Sequence, residues 1–465
     1  MTLPPRPRPR VVIVGAGLGG LMMGILLEKM DVPYQILERA TKIKPLGSLM
    51  GFNANILGVF DQLGFLEEIL NISNSSKGIV IYNEKLEKTA EVSMTNYAEL
   101  AGYDNIIFSR SDLYDIMLRR VPAEKIALGK RVLSVKETDQ GVIVGCSDNS
   151  TYEADIVIGA DGAYSAVRQC IYKEAAEAGS LPPSDTEDLA VPFVCMVGTT
   201  DPQSVDKFPQ LKEPEEFVHH VIGSTTPYTW STRSVPGNRF CWTVTAQVTD
   251  QTKVVDQRFR SSEWGPESSE GMVKMVRGLP LPIAKDLTLG DMIDATPTDG
   301  ICKVMLEEKL FETWSFKRSV LIGDACHKML PSGGQGAINA MQDAVILANC
   351  LYDLNNLKSE SITAAFLDYK EQRYAQTKKL TSISKMNALI TTGQTLFDRI
   401  LRYGALNLVP KWLQIAHLRT GVEYRPQIMF LPTIKDKGTV PSLPRKPSKR
   451  YEAELAEGKK SPSAL

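Results

Sequence analysis

The chain reads as an α/β protein, and three observations predict that class. Short apolar runs suited to buried strands, such as Val11-Val12-Ile13-Val14 and Ile156-Val157-Ile158, alternate with segments of helical apolar spacing. The first run passes straight into Gly15-Ala16-Gly17-Leu18-Gly19-Gly20, a G-x-G-x-x-G. Glu38 then closes a second apolar run, Tyr34-Gln35-Ile36-Leu37. Strand, tight turn, helix, second strand and terminal acid form, in this order, the Rossmann-like layout that holds a dinucleotide.

Each residue of that layout has a physical task. Gly15 permits the turn, Gly17 lets the backbone approach a pyrophosphate, and Gly20 lets the helix pack closely on the sheet. The first-turn N–H groups and the positive end of the helix dipole face the phosphates. Glu38 is placed to accept hydrogen bonds from ribose hydroxyls.

Bulk properties exclude other classes. Fifty-three Lys and Arg balance 54 Asp and Glu, leaving a net charge of −1 and no global field for a nucleic-acid partner. Seven cysteines are scattered without a C-x-x-C, which argues against a disulfide framework and a structural zinc site and points to a reducing, cytoplasmic setting. Residues 11–27 carry no charge and follow Arg6, Arg8 and Arg10, so a window scan would suggest a signal anchor. The glycines inside that run, and Glu28 and Lys29 after it, fit the nucleotide reading instead.

The remaining elements follow in order. Residues 2–9 are Pro- and Arg-rich and are expected to fray. Helices are expected over 22–30 and near 56–70, and 79–92 alternates like paired strands. Ser109 and Asp112 fit a capping box ahead of Leu113, Ile116 and Met117. Strands are expected over 131–144 and 151–160, and the polar stretch 174–188 reads as a loop or linker. A β-rich region runs from about 190 to 249, with strands at 193–197, 217–222 and 239–248; polar residues dominate 250–270. Another buried strand is expected over 319–322, and helices over 339–354 and 362–380. Segments 394–402 and 408–418 are amphipathic, with core packing or a lid favoured over membrane attachment. The Pro- and Lys-rich tail from about 433 is expected to lack order.

Two further motifs sharpen the reading. Asp161-Gly162 ends a strand and precedes Ser165-Ala166-Val167-Arg168, an S-x-x-R. Gly323-Asp324-Ala325-Cys326-His327-Lys328-Met329 is followed by Pro331-Ser332-Gly333-Gly334-Gln335-Gly336, which opens a helix near Ala337. With the N-terminal fingerprint, in this order, they resemble the group A flavoprotein monooxygenases, the para-hydroxybenzoate hydroxylase superfamily. The resemblance spans about 11–432, including Tyr424-Arg425-Pro426-Gln427 and Phe430-Leu431-Pro432. Within it, the Gly323–Met329 segment and its glycine loop look most similar to the fungal paxilline-type FAD monooxygenases.

The resemblance implies FAD as cofactor, NAD(P)H as cosubstrate, and O2 transfer through a flavin C4a-hydroperoxide. The substrate class it implies is a hydrophobic aromatic or prenylated small molecule, hydroxylated or epoxidised. It implies a discontinuous FAD-binding domain (1–75, 105–188, 290–370), a β-sheet substrate domain (76–104, 189–289) and a helical C-terminal part (371–432) before the tail (433–465). Gly15, Gly17, Gly20, Glu38, Gly47, Arg110, Asp161, Gly162, Asp324, Gly334, Gly336 and Ala337 are the implied cofactor residues, with Arg168 joining Asp161 in FAD and NAD(P)H handling. The physics agrees: a strand-terminal Asp324 can bind ribityl hydroxyls, and a helix start at Ala337 stabilises the negative charge of a reduced flavin. One departure is Ile338 where the family usually carries Asn, with Asn339 one position later.

Several residues keep two readings. His327 packs below the flavin or satisfies local backbone groups, with acid–base catalysis the less favoured role. Cys326 reads as a small core residue. His219-His220 has no third ligand nearby, so no metal is expected, though one of the pair could line a substrate pocket. Trp230, Phe240 and Trp242 are equally sheet core or substrate wall. A flavin-dependent dehydrogenase or reductase, and a non-enzymatic flavin-binding regulator, stand as alternatives to oxygen transfer.

Overall fold

The computed structural model describes residues 5–42, 49–138, 141–212, 217–248, 262–264 and 266–458. Its first sheet has six strands in the order Ser315–Phe316, Ser319–Leu321, Ile156–Gly159, Val11–Val14, Tyr34–Glu38 and Ile126–Leu128. All neighbours are parallel except the antiparallel edge strand Ser315–Phe316. Every residue of Val11–Val14 and Ile156–Gly159 is buried, as expected for parallel strands covered on both faces.

Two helices cover this sheet's core. Leu18–Lys29 is buried continuously from Leu18 to Leu27, and Gly336–Tyr352 from Met341 to Tyr352. Both are apolar almost all round, the pattern of helices enclosed by other elements. Small residues set their spacing: a Cβ at Gly19 would lie 3.3 Å from the Ala340 Cβ.

A second sheet carries, in order, Ser262–Trp264, Cys302–Leu310, Ala190–Thr199, Arg239–Gln247, Tyr228–Val235, Phe217–Ile222, Gly78–Asn83 and Lys88–Ser93. One face holds Met196, Val221, Trp230, Phe240, Trp242 and Val244, which pack on Met272, Val276, Leu289 and Met292 from two helices. Trp230, Phe240 and Trp242 are therefore core, not substrate wall. Their indoles are satisfied internally: Trp230 Nε1 donates to the Pro280 carbonyl at 2.7 Å and Trp242 Nε1 to Thr296 Oγ1 at 2.9 Å. A three-stranded antiparallel sheet (Val132–Thr138, Gly141–Cys146, Thr151–Ala154) completes the frame of the first domain.

Several expectations need correction. The 56–70 helix is two helices, Ala54–Gln62 and Leu66–Asn71, separated by Gly64 in the left-handed region at φ 79°. Ser109 is an N-cap without a side-chain cap bond; its Oγ pairs with Ser111 Oγ at 2.6 Å, so the capping box does not form. The supposed linker is partly helical: Ala166–Glu177 runs into it, Pro183–Thr186 forms another turn, and buried Asp185 accepts from the Glu312 and Thr313 N–H groups. Strand Tyr228–Val235 falls inside the expected β-rich region, where no bounds were set for it because its face opposite the tryptophans is polar. The tail is ordered through 458: Val440, Arg450 and Tyr451 are buried and Lys449–Ala456 is helical. Residues 394–421 form helices Leu396–Tyr403 and Lys411–Gly421, but the apolar face expected to pack is exposed. Most of the polar stretch 250–270 lies outside the described residues.

Candidate cofactor and active site

The site is assembled from four chain segments at the ends of the parallel strands. Gly15 has φ 105°, and a Cβ there would stand 2.4 Å from the Ala160 carbonyl oxygen and 3.0 Å from the Asp161 Cα. The fingerprint turn thus lies against the Asp161-Gly162 turn. A Cβ at Gly323 would stand 2.8 Å from that of Ala340, the residue that also faces Gly19. Fingerprint helix, Gly323-Asp324 turn and the start of Gly336–Tyr352 therefore converge.

Glycines at this junction fall into two kinds. Gly15 and Gly20 are required by the protein itself, since a Cβ at Gly20 would approach the Gly15 carbonyl oxygen to 2.0 Å. Gly17, Gly162, Gly334 and Gly336 have no atom of the described residues within 4 Å of an added Cβ, although Gly162 and Gly334 also need a left-handed backbone, at φ 81° and 63°. These four, on three separate segments, leave a cradle of bare backbone that side chains would fill. Both helix starts there are free of side-chain caps and of first-turn acids: Gly17 precedes Leu18–Lys29, and Gln335 precedes Gly336–Tyr352, where Ala337 is the second residue. Their N–H groups and dipoles suit a diphosphate at one helix and an electron-rich ring edge at the other. This geometry fits FAD.

The charged residues are placed as follows. Glu38 Oε2 accepts from the Ala16 N–H at 2.9 Å and Oε1 from the Ala40 N–H at 2.8 Å, which fixes the carboxylate and leaves each oxygen a lone pair for a ribose hydroxyl. Tyr114, which sequence reasoning missed, donates to the Ala16 carbonyl at 2.8 Å and holds the same turn. Arg110 is exposed at the start of its helix, close enough to act on Asp324, Lys328 and Cys302. Among the described residues none makes a hydrogen bond or ion pair with its guanidinium. Lys328 Nζ donates to Asp324 Oδ2 at 2.5 Å. Burial pushes the Asp324 carboxyl up, but Lys328, His327 and Arg110 outweigh it and keep it below its ordinary range. Gly47 lies outside the described residues.

Asp161 and Arg168 are used internally. Asp161 Oδ2 accepts from the Ala166 and Val167 N–H groups at 2.7 and 3.3 Å, capping their helix. Arg168, buried over the Phe311 ring, donates to the Ala163 carbonyl at 2.6 Å and the Ala325 carbonyl at 2.9 Å. It ties the Asp161-Gly162 turn to the Gly323-Asp324 turn.

His327 belongs to a buried ion network that the sequence left hidden. Its Nε2 lies 2.5 Å from Asp343 Oδ2, and Arg373 Nε lies 2.7 Å from Asp343 Oδ1. The Gly323 N–H also donates to Oδ2 at 2.9 Å, and Arg373 Nη2 donates to Asn339 Oδ1 at 2.6 Å. Burial alone would raise the Asp343 pKa, but His327 and Arg373 bring it down to about 2. Cys326, His327 and Asp343 lie within metal-ligating distance of one another. The carboxylate is already filled by two side chains and a backbone N–H, which accounts for the cluster as a brace. A polar pair inside the apolar run 341–348, Gln342-Asp343, was the available signal for it.

The polar face of the large sheet opposes this junction. Pairing register sets Cys195 beside Thr245, Val197 beside Thr243, and Ser231 beside both Thr243 and His220. Phe193 on this face packs with Leu330, one residue before the glycine loop, and with Ala388 of the long helix Ser359–Thr392. His220 Nε2 lies 3.0 Å from the Thr391 carbonyl oxygen, and burial lowers its pKa.

The fold and this cradle define an FAD-binding flavoprotein. The family model for the FAD binding domain matches residues 8–384. The FAD-dependent monooxygenase ausM of Penicillium brasilianum is 26% identical over 91% of the chain and 89% of its own length. The FAD-dependent monooxygenase ptmM of Penicillium ochrochloron is 28% identical over 85% of the chain and 92% of its length. Among solved structures, Klebsiella pneumoniae HpxO complexed with FAD and uric acid superposes with a TM-score of 0.71 at 20% identity, covering 90% of this chain and 97% of that one. A salicylate hydroxylase substrate complex gives 0.62 at 18%, covering 90% and 98%. These two likenesses carry the fold. The chain belongs to the FAD binding domain family, in its group of FAD-dependent monooxygenases.

Proposed function

We propose that this chain uses NAD(P)H and O2 to hydroxylate or epoxidise a hydrophobic aromatic or prenylated small molecule. The observation that carries the reading is the convergence of four side-chain-free glycines and two uncapped helix starts on one cradle. FAD bound there, once reduced by NAD(P)H, supplies the activation of O2 that sends one oxygen atom to substrate and the other to water.

The chain's own residues bind, orient and exclude water. The N–H groups after Gly17 receive the pyrophosphate, Glu38 a ribose, and Asp324 the ribityl hydroxyls. Arg110 adds a cation beside Asp324 that suits a cofactor oxygen or phosphate. The start of Gly336–Tyr352 holds negative charge on the ring without a charged side chain. In this reading the six-stranded sheet carries the cofactor, and the Phe193, Cys195, Ser231 and Thr243 face of the large sheet carries the substrate. That face sets Phe193 and Val197 among the thiol and hydroxyls of Cys195, Ser231, Thr243 and Thr245, and so offers apolar contact beside orienting polar groups. His327 has no proton-transfer part, because Asp343 occupies its Nε2 inside a buried network.

The test is isotope-labelled O2 supplied to flavin-loaded enzyme with NADH or NADPH and a panel of phenols, indoles and prenylated compounds. One labelled oxygen per product molecule is expected, from a yellow protein. A colourless protein that gives no FAD binding signal overturns the cofactor assignment. Flavin reduction by substrate with no label in any product would instead mark a dehydrogenase or reductase.

A further inference from the structure

The helix Leu396–Tyr403 is oriented against the usual rule. Leu396, Phe397, Ile400 and Tyr403 fall on one face, and all are exposed, by 63–76%. Its acid, Asp398, is turned inward and 4% exposed, where it accepts from the Thr395 N–H at 3.0 Å as part of a capping box. The exposed apolar surface continues through Leu408 into Trp412, Leu413 and Ile415 of the next helix. A run of large apolar side chains this long is not solvent-facing without a partner.

Charge identifies the partner. Between 394 and 421 the sequence carries Arg399, Arg402, Lys411 and Arg419 against the single acid Asp398. Arg399 and Arg419 are exposed beside the apolar face. A second copy of the chain would set cation against cation across the contact. An anionic lipid surface would instead receive Leu, Phe, Ile and Trp below the headgroups and arginines at their level. Neither helix can span: they have 8 and 11 residues, and among the described residues no helix is long and apolar enough to cross a membrane. We propose that Leu396–Tyr403 and Lys411–Gly421 form an interfacial docking face for an anionic phospholipid membrane.

The face is fastened to the large sheet. Arg399 Nη2 donates to the Ser224 carbonyl at 3.0 Å, just past strand Phe217–Ile222, and the Gln394 N–H donates to Gln247 Oε1 at 3.2 Å. Docking would bring that sheet to a bilayer that dissolves apolar compounds. This last step rests on the function proposed above, whereas docking itself does not.

The experiment is co-sedimentation of the flavin-loaded protein with phosphatidylserine–phosphatidylcholine vesicles and with phosphatidylcholine vesicles, at low and high salt. Preferential, salt-weakened binding to the serine lipid is expected, with a blue shift of Trp412 emission. The triple variant F397S/I400S/W412S should lose sedimentation while keeping its melting temperature and flavin content. Arg419→Gln, which leaves the Arg399 fastening intact, should weaken binding about fivefold. Absence of wild-type binding to the anionic vesicles overturns the proposal. So does a stable dimer that the triple variant dissociates, since a second copy would then cover the face. Failure of substrate turnover touches neither readout.

Discussion

Gly17 and Gly20 stand three residues apart on one turn, yet they answer to different constraints. At Gly17 an added Cβ meets no atom of the described residues, and the backbone φ of −71° suits any residue. Gly17→Ala is therefore expected to leave apoprotein stability within about 0.5 kcal/mol while weakening FAD binding about tenfold or more, read by melting and by flavin titration. Gly20→Ala drives a methyl against the Gly15 carbonyl and should cost the apoprotein about 1–3 kcal/mol before any cofactor is added. Arg110→Ala should behave like Gly17→Ala, because this exposed guanidinium has no described protein partner: flavin is lost on gel filtration, with melting of the apoprotein unchanged. The sequence assigned Gly15, Gly17 and Gly20 their tasks because a turn's backbone demands are local. It did not foresee that Asp161 and Arg168 spend their described contacts on the protein, capping a helix and tying two turns together.

At the scale of elements, the helix Gly336–Tyr352 decides the site. Its start is free to face a ring, while two turns on, Asp343 locks it to the Gly323 turn and to the long helix through Arg373. Asp343→Asn leaves Arg373 buried without its counter-charge and is expected to cost about 3–5 kcal/mol, measured by urea unfolding. The native carboxyl is held at about 2, below its ordinary value of 3.8. Its contribution is therefore complete above pH about 4 and is lost as pH falls toward 2, so the fall in stability across that window should be shallower in the Asn variant. Helix and strand positions here were legible wherever apolar residues repeat, as in Val11–Val14 or Gly336–Tyr352. The bounds of strand Tyr228–Val235, inside the expected β-rich region, were not, because Thr229, Ser231 and Arg233 give its second face no apolar signal.

On the scale of the whole molecule, distant chain segments close the structure. Gln62 Nε2 donates to the Ile428 and Pro432 carbonyls, and Asn349 accepts from the Met429 N–H. Tyr352 stacks on Phe430 with ring centroids 4.8 Å apart and bonds Glu454. The Pro- and Lys-rich composition of the tail resembles a disordered segment, but Ser448 bonds Asp353 and Tyr451 is buried against the first core. A chain ending at 447 should lose about 2–4 kcal/mol in urea unfolding, from the burial of Tyr451 and Arg450 and the freed Asp353.

By itself the sequence determined the α/β class, the dinucleotide turn, the two Asp-containing turns and the family resemblance. Those features are written in contiguous residues, where strand burial, glycine conformation and helix starts depend on near neighbours. Only the tertiary structure decided that Trp230 and Trp242 are core, that Asp343 is paired, that the tail folds back, and that the apolar face of Leu396–Tyr403 points outward. Each depends on a partner, or on the lack of one, far along the chain: composition reports how apolar a face is, and packing alone settles whether protein covers it.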